Sequence, residues 1–215
     1  MTVRPPGQPD RSVFSGEELE AYDWVVQRER NRGEADGNGR INRYYGSLLH
    51  SPTMCSHVSG LGRWVRLVGD RGDSFTHADR EWVDQVLSKE LGSTTVIAGH
   101  LEDALVQGVR LEAIRALWDG EEELFTERER LTADYVRQVY RGTVTDETYA
   151  AIQDLLGVKG AVEYTIWVLY LHMTIRAIEA VTGGRGPGAD AVRTKIKSYL
   201  DGTLEIPTRA TYQAG

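Results

Sequence analysis

Two residues nineteen positions apart, Glu81 and His100, have the types and the setting to move a proton. Ser93, Val96 and His100 stand at i, i+3 and i+7, which puts them on one face of a helix expected to begin at the Gly92-Ser93 turn. The first backbone N–H groups of such a helix, with its positive dipole end, favour a carboxylate or a developing oxyanion near Ser93, Thr94 and Thr95. Glu81 precedes that turn by about three helical turns, so an antiparallel hairpin can set it opposite His100. A carboxylate that holds an imidazole is a competent proton-transfer pair. Ser93 also has a simpler role as the helix N-cap, worth about 1 kcal/mol without any chemistry.

The other histidines, His50, His57, His77 and His172, pair with no second His or Cys at metal-ligand spacing, so no metal is expected. There is no Gly-rich phosphate cradle after a strand, no G-x-S-x-G and no nucleotide fingerprint, so no cofactor is expected either. Cys55 is the one thiol, which excludes an intramolecular disulfide and a C-x-x-C dithiol. On its apolar helix it reads as an inert buried thiol. Tyr44, Tyr45, Trp64 and Trp82 could wall a pocket for a small organic guest, with Tyr44 a candidate substrate contact. The same aromatics at helical spacing also make ordinary core.

The elements that must position these groups are helices. From Ile41 onward apolar residues recur at helical spacing, and no stretch alternates strictly between turn signals as a strand would. The pattern predicts helices over about Glu17–Arg30, Asn42–Leu49, Pro52–Val68, Thr76–Leu91, Ser93–Gln107, Leu111–Trp118, Glu127–Tyr140, Asp146–Leu155, Lys159–Val181 and Ala189–Leu200. Ser15 is expected to cap the first, Pro52 to occupy a first turn, and Thr76 with Asp79 to make a capping pattern. The organisation expected is an N-terminal arm with a short helix over 1–40, one all-α domain over 41–200 and a tail over 201–215. Residues Gly183–Gly188 read as a flexible connector. The Lys159–Val181 helix is apolar almost all round and must be covered on more than one face, centrally in a bundle or by another subunit.

Composition narrows the class of partner. The 32 acidic and 25 basic residues give a formal charge of −7 with no isolated Lys/Arg block, which argues against nucleic acid or an anionic membrane surface. The Pro-rich, polar start carries no apolar signal region, and the most apolar stretch, Ala161–Leu171, is about half the length a bilayer requires. A cytoplasmic address and a small-molecule substrate are expected.

The stretch Arg80–Leu117, REWVDQVLSKELGSTTVIAGHLEDALVQGVRLEAIRAL, resembles the core motif of alkylhydroperoxidase D-like proteins. That motif is a Glu, eleven residues, a Cys, two residues, a second Cys, three residues and a His, then a small residue and G-[VL]-x-x-E-x-I. Glu81 and His100 match its Glu and His, and Ala104, Gly108, Glu112 and Ile114 match its trailing positions. The two cysteines fall on Ser93 and Val96, neither of which can do thiol chemistry. That departure points to the carboxymuconolactone decarboxylase branch of the same superfamily, which also dispenses with the pair and keeps the helical His. The resemblance covers about Asn42–Gly183 and implies a compact helical bundle, a homotrimer or homohexamer, and a cofactor-independent, lyase-like reaction on a small carboxylated or carbonyl-bearing compound. In that reaction His100 and Glu81 are catalytic, with Ser93, Thr94 and Val96 beside the substrate. The alternative is a non-catalytic, oligomeric ligand-binding member; alkylhydroperoxide reduction would need an outside thiol acting with Cys55 alone.

Overall fold

The computed structural model describes residues 4, 5 and 7–209, so the first residues of the expected arm and the end of the expected tail lie outside the described residues. Among the described residues every regular element is helical, and the one β-bridge joins Ala35 to Ile41. The chain divides into two compact units: residues up to Val65 together with Ala177–Gly184, and Arg66–Arg176 together with the segment from Arg185 onward. Among the described residues no helix is long and apolar enough to cross a membrane.

The first unit holds α1 (Gly16–Asn31), α2 (Arg43–Leu48) and nearly all of α3 (Pro52–Arg66). Its core is Tyr22, Val25, Val26, Ile41, Leu49 and Cys55. Part of the expected arm is fastened here. The Gln8 amide donates to the Tyr22 hydroxyl at 2.7 Å and its carbonyl accepts from the Ile41 N–H at 3.0 Å. Ser15 occupies the N-cap position of α1 without a side-chain hydrogen bond, so its expected capping bond is absent.

The second unit holds α4 (Val68–Arg71), α5 (His77–Leu91), α6 (Ile97–Val106), α7 (Leu111–Asp119), α8 (Glu127–Arg141), α10 (Ala189–Leu200) and α9 (Asp146–Thr182) as far as Arg176. α5 is the central helix: every residue from Asp79 to Ser88 is buried, and it packs against α6, α7 and α8. Its start is fixed as the sequence predicts, by a reciprocal Thr76/Asp79 capping box. Arg128 of α8 then clamps Asp79 with three bonds, at 3.1, 2.8 and 2.7 Å. Gly92 ends α5 in the left-handed region, where a residue without Cβ is favoured. α9 joins the two segments expected over 146–155 and 159–181; they meet at Gly157, whose backbone is not helical.

Two expectations about position change. α6 begins at Ile97, not at Ser93, because the chain between them is tied elsewhere. The Ser93 N–H donates to the Ser88 carbonyl and completes the end of α5, while the Thr94 N–H donates to the Arg185 carbonyl at 2.7 Å. The Thr94 hydroxyl donates to that same carbonyl and accepts from the Gly188 N–H. Arg185 and Gly188, in the segment expected as a flexible connector, therefore fasten the α5–α6 turn. Second, of the two kinds of cover expected for the apolar helix, the central place in the bundle goes to the polar α5. α9 leaves Val158, Val162, Ile166, Leu169 and Met173 between 43% and 64% exposed.

Candidate functional site

α5 and α6 run side by side from the Gly92 turn and bring Glu81 and His100 together. His100 Nδ1 lies 3.1 Å from Glu81 Oε2, a hydrogen bond in which the imidazole N–H donates to the carboxylate. The convergence expected of these two side chains is present. Glu81 is fully buried, whereas the His100 ring is 24% exposed, so the cluster reaches the surface through the imidazole. Nδ1 is thereby committed to Glu81, and Nε2 is the other nitrogen of the ring.

Two further acids face the same nitrogen. Asp84, one turn along α5 from Glu81, has Oδ2 at 3.4 Å from Nδ1, and Asp103, one turn along α6, has Oδ2 at 3.5 Å. Asp84 is the residue that sequence reasoning missed. Its signal was present, since a carboxylate three positions after Glu81 shares that face of the helix. On the far side of Glu81 the Arg80 guanidinium pairs with Oε1.

Burial and charge pull these groups in opposite directions. Burial alone pushes Glu81 up, but the His100 hydrogen bond, the His100 charge and Arg80 outweigh it and hold the carboxyl well below its ordinary range. Asp84 goes the other way, because its complete burial outweighs the nearby cations and favours the neutral acid. Burial would lower His100, yet Asp84 and Glu81 favour the imidazolium and raise it. The cluster thus sets a carboxylate and an imidazolium in contact, beside a second acid that burial pulls toward its neutral form. Such a group of unlike pKa values can give up and recover a proton at one place.

The remaining expected site residues divide. Val96 is buried at the N-terminal edge of α6, and Thr94 is buried with its N–H and hydroxyl spent on Arg185. Ser93 is fully buried and its hydroxyl has no hydrogen-bond partner. The anion site expected from the first N–H groups at Ser93, Thr94 and Thr95 is corrected: Ser93 is no cap, and the N–H groups of Ser93 and Thr94 are already satisfied by carbonyls. Tyr44 belongs to the first unit, where it is buried against the ring of Tyr45. It is not among the residues gathered on α5 and α6.

Cys55 also lies in the first unit, fully buried in the core with its thiol pushed up to about 11 by burial. At neutral pH it is a thiol, not the thiolate that peroxide chemistry requires. That unit also contains a cavity of about 480 Å³ lined by Gln8, Glu34, Asp36, Arg40, Asn42 and Arg43, none of which belongs to the α5–α6 cluster.

As a ligand set, Glu81, Asp84 and His100 each offer one donor atom, all within 4.8 Å of one another. No protein-family model, no curated protein and no solved structure matches this chain, so function must be argued from the cluster itself.

Proposed function

We propose that the chain is a cofactor-independent enzyme that transfers a proton to or from carbon on a small carboxylated or carbonyl-bearing compound, with His100 as the proton carrier and Glu81 as the group that orients and charges it. The observation that carries this reading is the 3.1 Å contact between Nδ1 and a fully buried carboxylate, in a histidine whose ring still reaches solvent. A buried carboxylate fixes the tautomer and stabilises the imidazolium, which leaves Nε2 as the exchanging nitrogen. In a decarboxylation, the C–C bond to the carboxylate breaks, carbon dioxide departs, and the electron pair remains as an enolate. His100 Nε2–H then gives its proton to carbon and is reprotonated from water.

The motif resemblance supports a bundle of the alkylhydroperoxidase D-like type and the carboxymuconolactone decarboxylase-like branch within it. A homotrimer or homohexamer in the cytoplasm belongs to the same proposal, and the apolar stripe on α9 favours the assembly. No partner in nucleic acid or membrane is proposed.

The test is turnover in D2O against a panel of small β-keto acids and carboxylated lactones, followed by loss of substrate and by deuterium entering carbon. His100→Gln and Glu81→Gln are each expected to lower the rate by about 10²–10⁴-fold. A protein that binds a panel member and returns it unlabelled would make the chain a ligand-binding relative without catalysis. Equal rates in both variants and wild type would remove the pair from the mechanism.

A further inference from the structure

We infer that Glu81, Asp84 and His100 also form a site for one divalent transition-metal ion, held by Oε2 of Glu81, Oδ2 of Asp84 and Nδ1 of His100. Two donors that share an ion at about 2.1 Å lie about 3.0–3.4 Å apart, the edge of an octahedron or a tetrahedron. The Nδ1–Oε2 and Nδ1–Oδ2 separations are 3.1 and 3.4 Å, and the three donor groups fall within 4.8 Å of one another. Both separations from His100 are therefore those of ligands sharing an ion, and the two carboxylates, within 4.8 Å of each other, close the set.

Asp84 supplies the independent reason. It is 1% exposed, neither of its oxygens accepts a hydrogen bond, and its polar contacts are confined to the other two members of the cluster, Glu81 and His100. A buried polar group left in this way costs free energy that a protein normally avoids, and an ion between Asp84 and its neighbours would satisfy it. Glu81 fits the same arrangement, because Arg80 engages Oε1 and leaves Oε2 for the ion.

One imidazole nitrogen and two carboxylates select zinc, manganese, iron or cobalt over calcium or magnesium, which take oxygen donors alone. Two carboxylates also balance the charge of a dication. The partly exposed His100 ring provides the way in and leaves room for water in the remaining positions. The inference concerns binding and stands whether or not the cluster turns over a substrate. An ion on Oε2 and Nδ1 replaces the hydrogen bond between them, so it and the acid–base form of the pair are alternative occupants of one place.

The test uses the full chain stripped with a chelator and then titrated with Co2+, read by visible absorption, and with Zn2+, read by calorimetry. One ion per chain is expected, with affinity reduced at least about ten-fold in Asp84→Asn and retained in Asp103→Asn. In the unaltered chain, Zn2+ should move the imidazole nitrogen resonances of a single histidine. That signal should persist in His50→Gln, His57→Gln, His77→Gln and His172→Gln, which assigns it to His100 even if a variant in the cluster does not fold. Absence of saturable uptake at neutral pH, uptake unchanged by Asp84→Asn, or a shift in any other histidine overturns the site. The acid–base reading is judged separately, by turnover in metal-free buffer.

Discussion

Asp84 Oδ2 lies 3.4 Å from His100 Nδ1, yet neither Asp84 oxygen accepts a hydrogen bond from it or from any other described group. The nitrogen's proton is directed to Glu81, and Asp84 is left buried beside a second acid. An acid in that position works against folding, which is the usual signature of a group kept for a site and not for stability.

Asp84→Asn should therefore make the metal-free protein more stable, by about 1–2 kcal/mol in urea or thermal unfolding. The amide keeps the shape and offers Glu81 an N–H donor without the cost of holding a buried carboxyl protonated at neutral pH. A loss of stability would mean that Asp84 is a structural partner of His100, contrary to the unpartnered oxygens.

The turn between α5 and α6 depends on a close approach at Gly186. A Cβ there would stand 2.3 Å from the Thr94 carbonyl carbon and 2.5 Å from the Thr95 nitrogen, and its φ of +82° lies in the region that glycine favours. Both neighbours are backbone and cannot move aside cheaply. Gly186→Ala should cost about 2–4 kcal/mol, seen as a lower denaturant midpoint. If Thr94 holds this segment as its bonds to Arg185 and Gly188 indicate, Thr94→Val should lower the midpoint in the same direction by a smaller amount.

These two cases also show what the sequence could and could not convey. The Glu81–His100 convergence was legible because both residues follow from local periodicity: one helix, a Gly92 break and a second helix returning alongside. The Thr76/Asp79 box was legible for the same reason, being a pattern within four residues. The start of α6 lies four residues beyond the expected one because Ser93 offers a good cap locally, and the carbonyl that outcompetes it belongs to Arg185, ninety-one positions from Thr94. Likewise α9 reads as the most apolar helix, one in need of cover on more than one face. The bundle buries α5 centrally instead, and its Asp79 and Glu81 are completed by Arg128 and His100 from other helices. Hydrophobic periodicity marks apolar faces, but it does not mark a polar helix enclosed by its neighbours.

Acid should weaken the second unit partly through Glu129. Burial would raise this carboxyl, but Arg110, at 2.6 and 2.8 Å, and the Thr126 cap outweigh it and hold it below its ordinary value of 4.5. A carboxyl lowered on folding adds stability that is fully present above the unfolded value and is lost as pH falls through the folded one. The difference in unfolding free energy between the natural chain and Glu129→Gln should be greatest near neutrality. It should shrink as pH falls below 4.5, measured by urea unfolding across the range. A difference that grows in acid would place the shift in the opposite direction.

Along α9, Val162, Ile166, Leu169 and Met173 succeed one another at spacings of four, three and four, the repeat that packs one helix on another. The opposite side of the helix is spent on the unit's own core, through Ala161, Tyr164, Trp167, Val168, Leu171 and Ile175. Between Ala161 and Ile175, all the exposed residues are therefore apolar, and no charge interrupts the stripe. A face of this kind in contact with water is unfavourable, and a second copy would cover it with the same chemistry. Light scattering coupled to size exclusion should give a multiple of the 24.0 kDa chain mass. Ile166→Glu and Leu169→Glu together should reduce it to the single mass while the helical circular dichroism is retained, because both side chains are already exposed in the isolated chain. A natural chain that elutes as a monomer at all concentrations, or a double variant that keeps the larger mass, would separate the stripe from assembly.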